Sequence, residues 1–198
     1  MKGFTLLEVL LTMGIMAVIT ILVTLFGIDI LQLQTTLNDS VAKQQEVTIA
    51  AATIMRELRS PVTSANGSYA IESASSVSLN FYGEVDGDVA VEKVRYFFSG
   101  TTLKRGVTDP SGNPATYPPA NEVTKDLVLD VLFSPISTKS LFVYYGNDYT
   151  GTQPPLAAPI NPQTIRLIQL TIISDKTPTD IKGRFEYSSI EKIRTLSQ

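Results

Sequence analysis

The chain has 198 residues, a formal net charge of −3, and neither Cys nor His. The absence of both residue types excludes disulfide bonds, Ser-His-Asp and Cys-His catalysis, and metal sites with His or Cys ligands. Residues 61–198 hold 12 Lys and Arg against 14 Asp and Glu, a net of −2, whereas DNA-binding domains carry a basic excess. We therefore expect neither enzymatic activity nor a cofactor, and nucleic acid is an unlikely main partner.

The amino-terminal segment combines one basic residue with a long apolar run. Lys2 is followed by residues 4–28, in which Glu8 is the only charged residue. Residues 9–28 match the ~20 residues that cross a ~30 Å hydrocarbon core. A carboxylate inside such a segment costs roughly 2.5–3.5 kcal/mol at its centre and less near its end. We predict a transmembrane segment at about 6–28, with Lys2 on the cytoplasmic side.

The sequence Lys-Gly-Phe-Thr-Leu-Leu-Glu at positions 2–8 resembles the amino terminus of type IV prepilins and type II secretion pseudopilins. The resemblance implies that a prepilin peptidase cleaves between Gly3 and Phe4, removes residues 1–3 as a leader, and methylates Phe4. It also implies that Glu8 neutralises the Phe4 amine of a neighbouring subunit during filament assembly. An ion pair is the cheapest way to keep both charges in lipid. The alternative is an ordinary signal anchor whose Glu8 carboxylate reaches towards water.

Residues 4–60 predict one long helix, because they contain no Pro and Pro61 stops it at or before Ser60. The first half is apolar all round. The second half has an apolar stripe at helical spacing, which we expect to pack on the soluble domain as core; a free coiled coil is the alternative. The stripe consists of Leu37, Val41, Val47 or Thr48, Ala51, Ile54 or Met55, and Leu58.

Residues 61–198 predict a soluble β-rich domain, since short alternating apolar runs are separated by turn residues. The predicted strands are 78–81, 92–98, 101–107, 127–133, 141–145, 165–173 and 184–193, with hairpin turns at 83–88 and at Ser99-Gly100 and long loops at 109–122 and 146–162. With the helix covering one face of an antiparallel sheet, the fold class is α+β.

The hairpin at residues 94–105 and the late strands at 166–173 and 184–196 look like those of J-type minor pseudopilins and W-type minor pilins. The resemblance implies a type IV pilin-like fold and a minor subunit that helps to assemble or initiate a pilus or secretion filament. Its implied partners are the prepilin peptidase, other pilins or pseudopilins, and the inner-membrane assembly platform. The protein would be a single-pass inner-membrane protein first and part of a periplasmic or extracellular filament afterwards.

Two clusters in the domain allow more than one interpretation. Glu84, Asp86 and Asp88 form a weak Ca²⁺ candidate, although Asp-Gly is also a common hairpin turn. The aromatic residues Phe142, Tyr144, Tyr145 and Tyr149 are expected to fill the core, with a binding platform as the alternative.

A rival function from another class is an adhesive, ligand-binding or DNA-binding pilin that uses loops 109–122 and 146–162. Two basic pairs, at residues 93/95 and 104/105, lie on predicted strands and are interpreted as solvated sheet faces.

Overall fold

A computed structural model describes residues 5–132, 139–175 and 184–194. The chain forms two compact units, Met1–Ala42 and Lys43–Gln198. The boundary between them falls within α1, a helix of 53 residues at Leu6–Leu58, close to the predicted 4–60. Because the strands that follow pair antiparallel, the α+β class is confirmed.

The first unit contains one segment, Leu6–Leu31, that is long and apolar enough to cross a membrane by length and composition. Its Thr hydroxyls bond to the helix backbone: Thr12 donates to the Val9 carbonyl, and Thr20 to the Met16 carbonyl, each at 2.8 Å. Such bonds leave few unsatisfied polar groups, which is what a hydrocarbon surrounding requires. The predicted segment at about 6–28 lies within this span.

In the described part of the second unit, eight strands form two antiparallel sheets. The strands are β1 (Ile71–Ala74), β2 (Leu79–Gly83), β3 (Glu92–Ser99), β4 (Thr102–Thr108), β5 (Val123–Val128), β6 (Phe142–Tyr145), β7 (Leu167–Ser174) and β8 (Phe185–Lys192). One sheet has the order β1-β2-β3-β4-β5 and the other the order β6-β7-β8. The sequence predicted a single sheet, so the division into two is a correction.

Two strands of the larger sheet differ from the prediction. β1 was missed, because Ile71 is the only fully buried residue among its four and no alternation is visible. The strand predicted at 127–133 is β5, which begins at Val123 and ends at Val128; residue 133 lies outside the described residues. The first four side chains of β5 are exposed, so pairing with β4 and not a buried face defines this strand.

One core joins the second unit's part of α1 to both sheets. From the helix it contains Val47, Ala50, Ala51, Ile54, Met55 and Leu58, and it includes Leu79, Phe81, Val94, Tyr96, Leu103, Phe142, Tyr144, Ile168, Leu170 and Ile172 from the strands. The helical residues recur at three and four positions, as one buried face requires. The stripe is therefore core from Val47 onward.

The amino-terminal part of the predicted stripe is not core. Leu37 and Val41 are 55% and 62% exposed, and at the next position Val47 is buried while Thr48 is exposed. The expectation for Leu37 and Val41 was wrong, because periodicity shows which face of a helix is apolar but not where the surface that covers it ends.

Candidate functional site in the amino-terminal helix

Glu8 lies in the first turn of α1. Its backbone N–H donates to the Thr5 carbonyl at 3.1 Å and lies 3.4 Å from the Thr5 hydroxyl oxygen. Thr5 therefore caps the helix, and an acidic side chain three residues later is favoured by the positive end of the helix dipole. The Thr-x-x-Glu spacing of a capping box was readable in the sequence, and the sequence analysis missed it.

The other predicted residues of this site, Gly3 and Phe4, lie outside the described residues. Cleavage between them, methylation of Phe4 and pairing of the Phe4 amine with Glu8 therefore stay predictions. The described part of the site is a capped helix start with one exposed carboxylate, followed by an apolar span.

A second charged residue, Asp29, lies near the other end of the span Leu6–Leu31. Both Glu8 and Asp29 are exposed carboxylates on the same helix. They differ in position: Glu8 lies in the first turn of the helix, whereas Asp29 lies at the carboxyl-terminal end of the apolar run. Asp29 is therefore a matched control for substitutions that test the role of Glu8.

In the second unit, a buried ion pair connects α1 to the larger sheet. Glu57 accepts from Arg105 through both carboxylate oxygens, at 2.9 and 3.0 Å, and Tyr96 donates to the same carboxylate at 2.5 Å. Burial and then the Glu57 charge raise the pKa of Tyr96 well above its usual value. Burial lowers the pKa of Arg105, but Glu57 outweighs burial and the net shift is upward. The arrangement fixes the helix against β3 and β4.

The basic side chains at residues 93, 95, 104 and 105, which the sequence analysis singled out, are each paired with a carboxylate. The pairs are Lys93–Glu72 at 2.7 Å, Arg95–Glu122 at 2.6 Å, Lys104–Asp126 at 2.7 Å and Arg105–Glu57 at 2.9 Å. Gly106 in β4 leaves room for one of these pairs, because a Cβ there would lie 2.1 Å from a carboxylate oxygen of Glu122. The sequence showed the basic residues but not their partners.

The acidic cluster of the β2–β3 loop differs from the prediction in one member. Carboxylate oxygens of Asp86, Asp88 and Glu92 all lie within 4.8 Å of one another. Glu84 is exposed and is not part of this group. Sequence proximity selected Glu84, whereas the fold brings in Glu92 from the start of β3.

The aromatic residues of β6 and the following loop fall into two classes. Phe142 and Tyr144 are buried in the core, as expected. Tyr145 and Tyr149 are half-buried, and their rings lie 4.0 Å apart. A groove of about 550 Å³ is lined in part by Phe142, Tyr144, Pro155, Leu156 and Ile160. A ligand-binding role for loop 146–162 stays a prediction.

Comparison of the sequence with protein-family models finds no match. Comparison with curated proteins finds no match either.

Proposed function

We propose that the protein is a non-enzymatic filament subunit of the type IV pilin and pseudopilin class, acting as a minor subunit that helps to assemble or initiate its filament. The observation that carries the proposal is the position of Glu8, in the first turn of a helix whose span Leu6–Leu31 is long and apolar enough to cross a membrane. The Gly3-Phe4 sequence before it supports the same function.

The physical argument concerns the cost of a carboxylate in lipid. An ionised side chain in the hydrocarbon region persists where a partner of opposite charge compensates it. Cleavage after Gly3 would create an amine on Phe4, and methylation would keep its positive charge. Because the two groups would belong to different copies, a misplaced copy would leave both charges unpaired. The pair would therefore set the axial register between subunits, and apolar packing would supply the affinity.

The second unit has the properties of a filament's outer domain. Its portion of α1, Lys43 to Leu58, contributes one face to the core. Its two sheets and the buried Arg105–Glu57 pair hold the helix and strands together. In this proposal the second unit selects neighbouring subunits, while the first unit provides membrane anchorage and register.

The deciding experiment is the mass of the amino-terminal peptide, measured in sheared surface filaments and in the membrane fraction. We expect a peptide beginning at N-methylated Phe4, present in filaments at a low ratio to a major subunit. A strain without its prepilin peptidase is the control and should retain the peptide beginning at Met1.

A high ratio to the other subunits would make the protein a bulk subunit instead of a minor one. An unprocessed chain confined to the membrane, with the peptidase active on other substrates, would overturn the proposal and leave a membrane-anchored β domain.

A further inference from the structure

The loop between β2 and β3 brings three carboxylates together. Asp86 and Asp88 lie in the loop, and Glu92 is the first residue of β3. One oxygen of each lies within 4.8 Å of the others. Among the described residues, none of the three forms an ion pair with Lys or Arg. The cluster therefore concentrates negative charge without a cation from the protein.

Glu92 supplies an independent observation. Its side chain is 0% exposed, and one carboxylate oxygen, Oε2, accepts the Val85 N–H at 2.9 Å. The other, Oε1, is buried and has no hydrogen-bond partner in the described chain. An ionised carboxylate in this position is costly unless a cation compensates it.

The charge distribution around Glu92 is consistent with that cost. Burial is the largest cause that raises the pKa of Glu92, the Val85 N–H acts in the opposite direction, and the nearby Asp86 and Asp88 raise it further. A cation bound beside the unpartnered Oε1 would compensate this buried charge.

The loop backbone orients the two Asp residues beside Glu92. Asp86 accepts the Asp88 N–H at 3.1 Å, and Asp88 accepts the Ala90 N–H at 2.6 Å. Gly87 between them has a φ of 90°, a conformation that a residue with a Cβ adopts only with strain. The turn that the Asp-Gly sequence predicted is therefore also the turn that presents two carboxylates to Glu92.

We propose that Asp86, Asp88 and Glu92 bind a calcium ion. Two oxygens on one Ca²⁺ ion lie at most ~5.2 Å apart, since each Ca–O distance is 2.3–2.6 Å, and the observed separations fall within 4.8 Å. Calcium takes 6–8 oxygen ligands in flexible geometry, whereas magnesium requires a near-ideal octahedron. An irregular loop that brings three carboxylates together, with Asp86 and Asp88 exposed to water, meets the calcium requirement better.

The ion would connect the loop tip to the buried start of β3. Val89 in this loop is fully exposed, whereas Val85 near its start packs against the core. Calcium would lower the flexibility of the β2–β3 connection and neutralise Glu92. This inference does not depend on filament assembly, because it concerns only the second unit.

The test uses the full chain in detergent micelles, freed of metal by a chelator. Binding of ⁴⁵Ca²⁺ by equilibrium dialysis should give a dissociation constant of about 10⁻⁴–10⁻³ M, the range of extracellular calcium modules. The thermal unfolding midpoint should rise with added CaCl₂. Magnesium should bind at least about tenfold more weakly than calcium, because the Mg²⁺ ion gives up its bound water reluctantly.

The decisive variant is the double substitution Asp86→Asn and Asp88→Asn, which keeps size and turn chemistry. It should weaken calcium binding about tenfold or more while keeping the unfolding midpoint measured in chelator. Glu84→Gln is the matched control, since it removes one carboxylate of the same loop outside the cluster, and it should leave binding unchanged.

Glu92→Gln removes the buried member of the cluster. It should abolish the calcium-dependent shift of the midpoint without lowering the midpoint in chelator, because it removes a buried charge. The proposal is overturned if the wild-type chain shows no calcium binding up to about 10 mM, well above the range of such sites. It is also overturned if the double variant and the wild type respond equally to calcium.

Discussion

At the residue scale, three Tyr side chains place their rings in the core and their hydroxyls on polar partners. Tyr96 donates to Glu57 at 2.5 Å, Tyr144 to the Ser75 carbonyl at 2.8 Å, and Tyr82 to Glu72 at 3.0 Å. Each ring contributes apolar area while its hydroxyl remains satisfied. In all three, burial is the largest cause of a raised pKa.

These tyrosines predict a loss of stability in alkaline solution. Burial, and after it the hydrogen bond and charge of Glu72, raise the pKa of Tyr82 to about 12. An unfolded Tyr titrates near 10, so between about pH 10 and pH 12 the unfolded chain binds fewer protons. The free energy of unfolding should therefore fall as pH rises, by up to ~1.4 kcal/mol per pH unit for this group.

In Tyr82→Phe the free energy of unfolding should decrease less steeply with pH. Tyr96 and Tyr144 should account for the decrease that remains. Chemical denaturation of the second unit between about pH 9 and pH 11 measures it. Glu72→Gln should flatten the slope only in part, because burial is the larger cause. Parallel curves for wild type and Tyr82→Phe above about pH 10 would contradict the assignment.

At the element scale, the carboxyl-terminal part of α1 contacts the larger sheet through both apolar packing and charge. Ile54 and Leu58 are buried in the core. Between them, Glu57 is 8% exposed and pairs with Arg105 of β4. The apolar contacts supply most of the free energy with which the helix packs on the sheet. The ion pair forms in only one orientation of the helix about its axis.

Arg105→Ala should destabilise the second unit by roughly 3–5 kcal/mol, since it leaves the buried Glu57 carboxylate without its cation. A double variant, Glu57→Met with Arg105→Met, should recover much of that loss because no buried charge remains. Denaturant unfolding followed by near-ultraviolet circular dichroism measures both. Arg59→Ala is the control: its partner is Glu191 and its side chain is 54% exposed, so little change is expected. Equal losses in Arg105→Ala and the double variant would show that packing, and not charge, explains the effect.

The elements also show which local signals are sufficient for prediction. The β3–β4 hairpin was predicted nearly to the residue, because Val94 and Tyr96 alternate with polar residues and Ser99-Gly100 follows. β1 and the exposed start of β5 carried no such pattern. Their strand character comes from pairing with a neighbouring strand, which is a tertiary property.

At the scale of the whole molecule, the proposed function places the two compact units in different surroundings, the first in lipid and the second in water. The unit Met1–Ala42 contains the candidate membrane span, and the unit Lys43–Gln198 contains the core and both sheets. A charge in the first unit is therefore tested by its effect on filament incorporation, and a charge in the second by its effect on unfolding.

Glu8→Gln should lower incorporation into filaments about tenfold or more, the effect of losing roughly 1.4 kcal/mol of pairing free energy. Asp29→Asn is the matched control, since it makes the same carboxylate-to-amide change in the same span, and it should incorporate normally. Quantitative immunoblots of sheared filaments, normalised to the membrane fraction, measure both. Equal losses in the two variants would indicate a general effect on membrane insertion and would contradict a specific role for Glu8.

The sequence alone determined the properties that depend on neighbours along the chain. Composition and length identified the apolar segment, the spacing of Thr5 and Glu8 encoded the helix start, and Pro61 limited the helix end. The α+β class followed from the change of periodicity after Pro61. These features are local, because each depends on residues that are close to one another in the sequence.

Only the tertiary structure decided which distant residues meet. It divided the strands between two sheets, excluded Leu37 and Val41 from the core, paired Arg105 with Glu57, and replaced Glu84 by Glu92 in the acidic cluster. Each of these outcomes depends on strand pairing and on where the covering surface ends. Periodicity specifies which face of an element is apolar, but the partner of that face is set by the packing of the whole core.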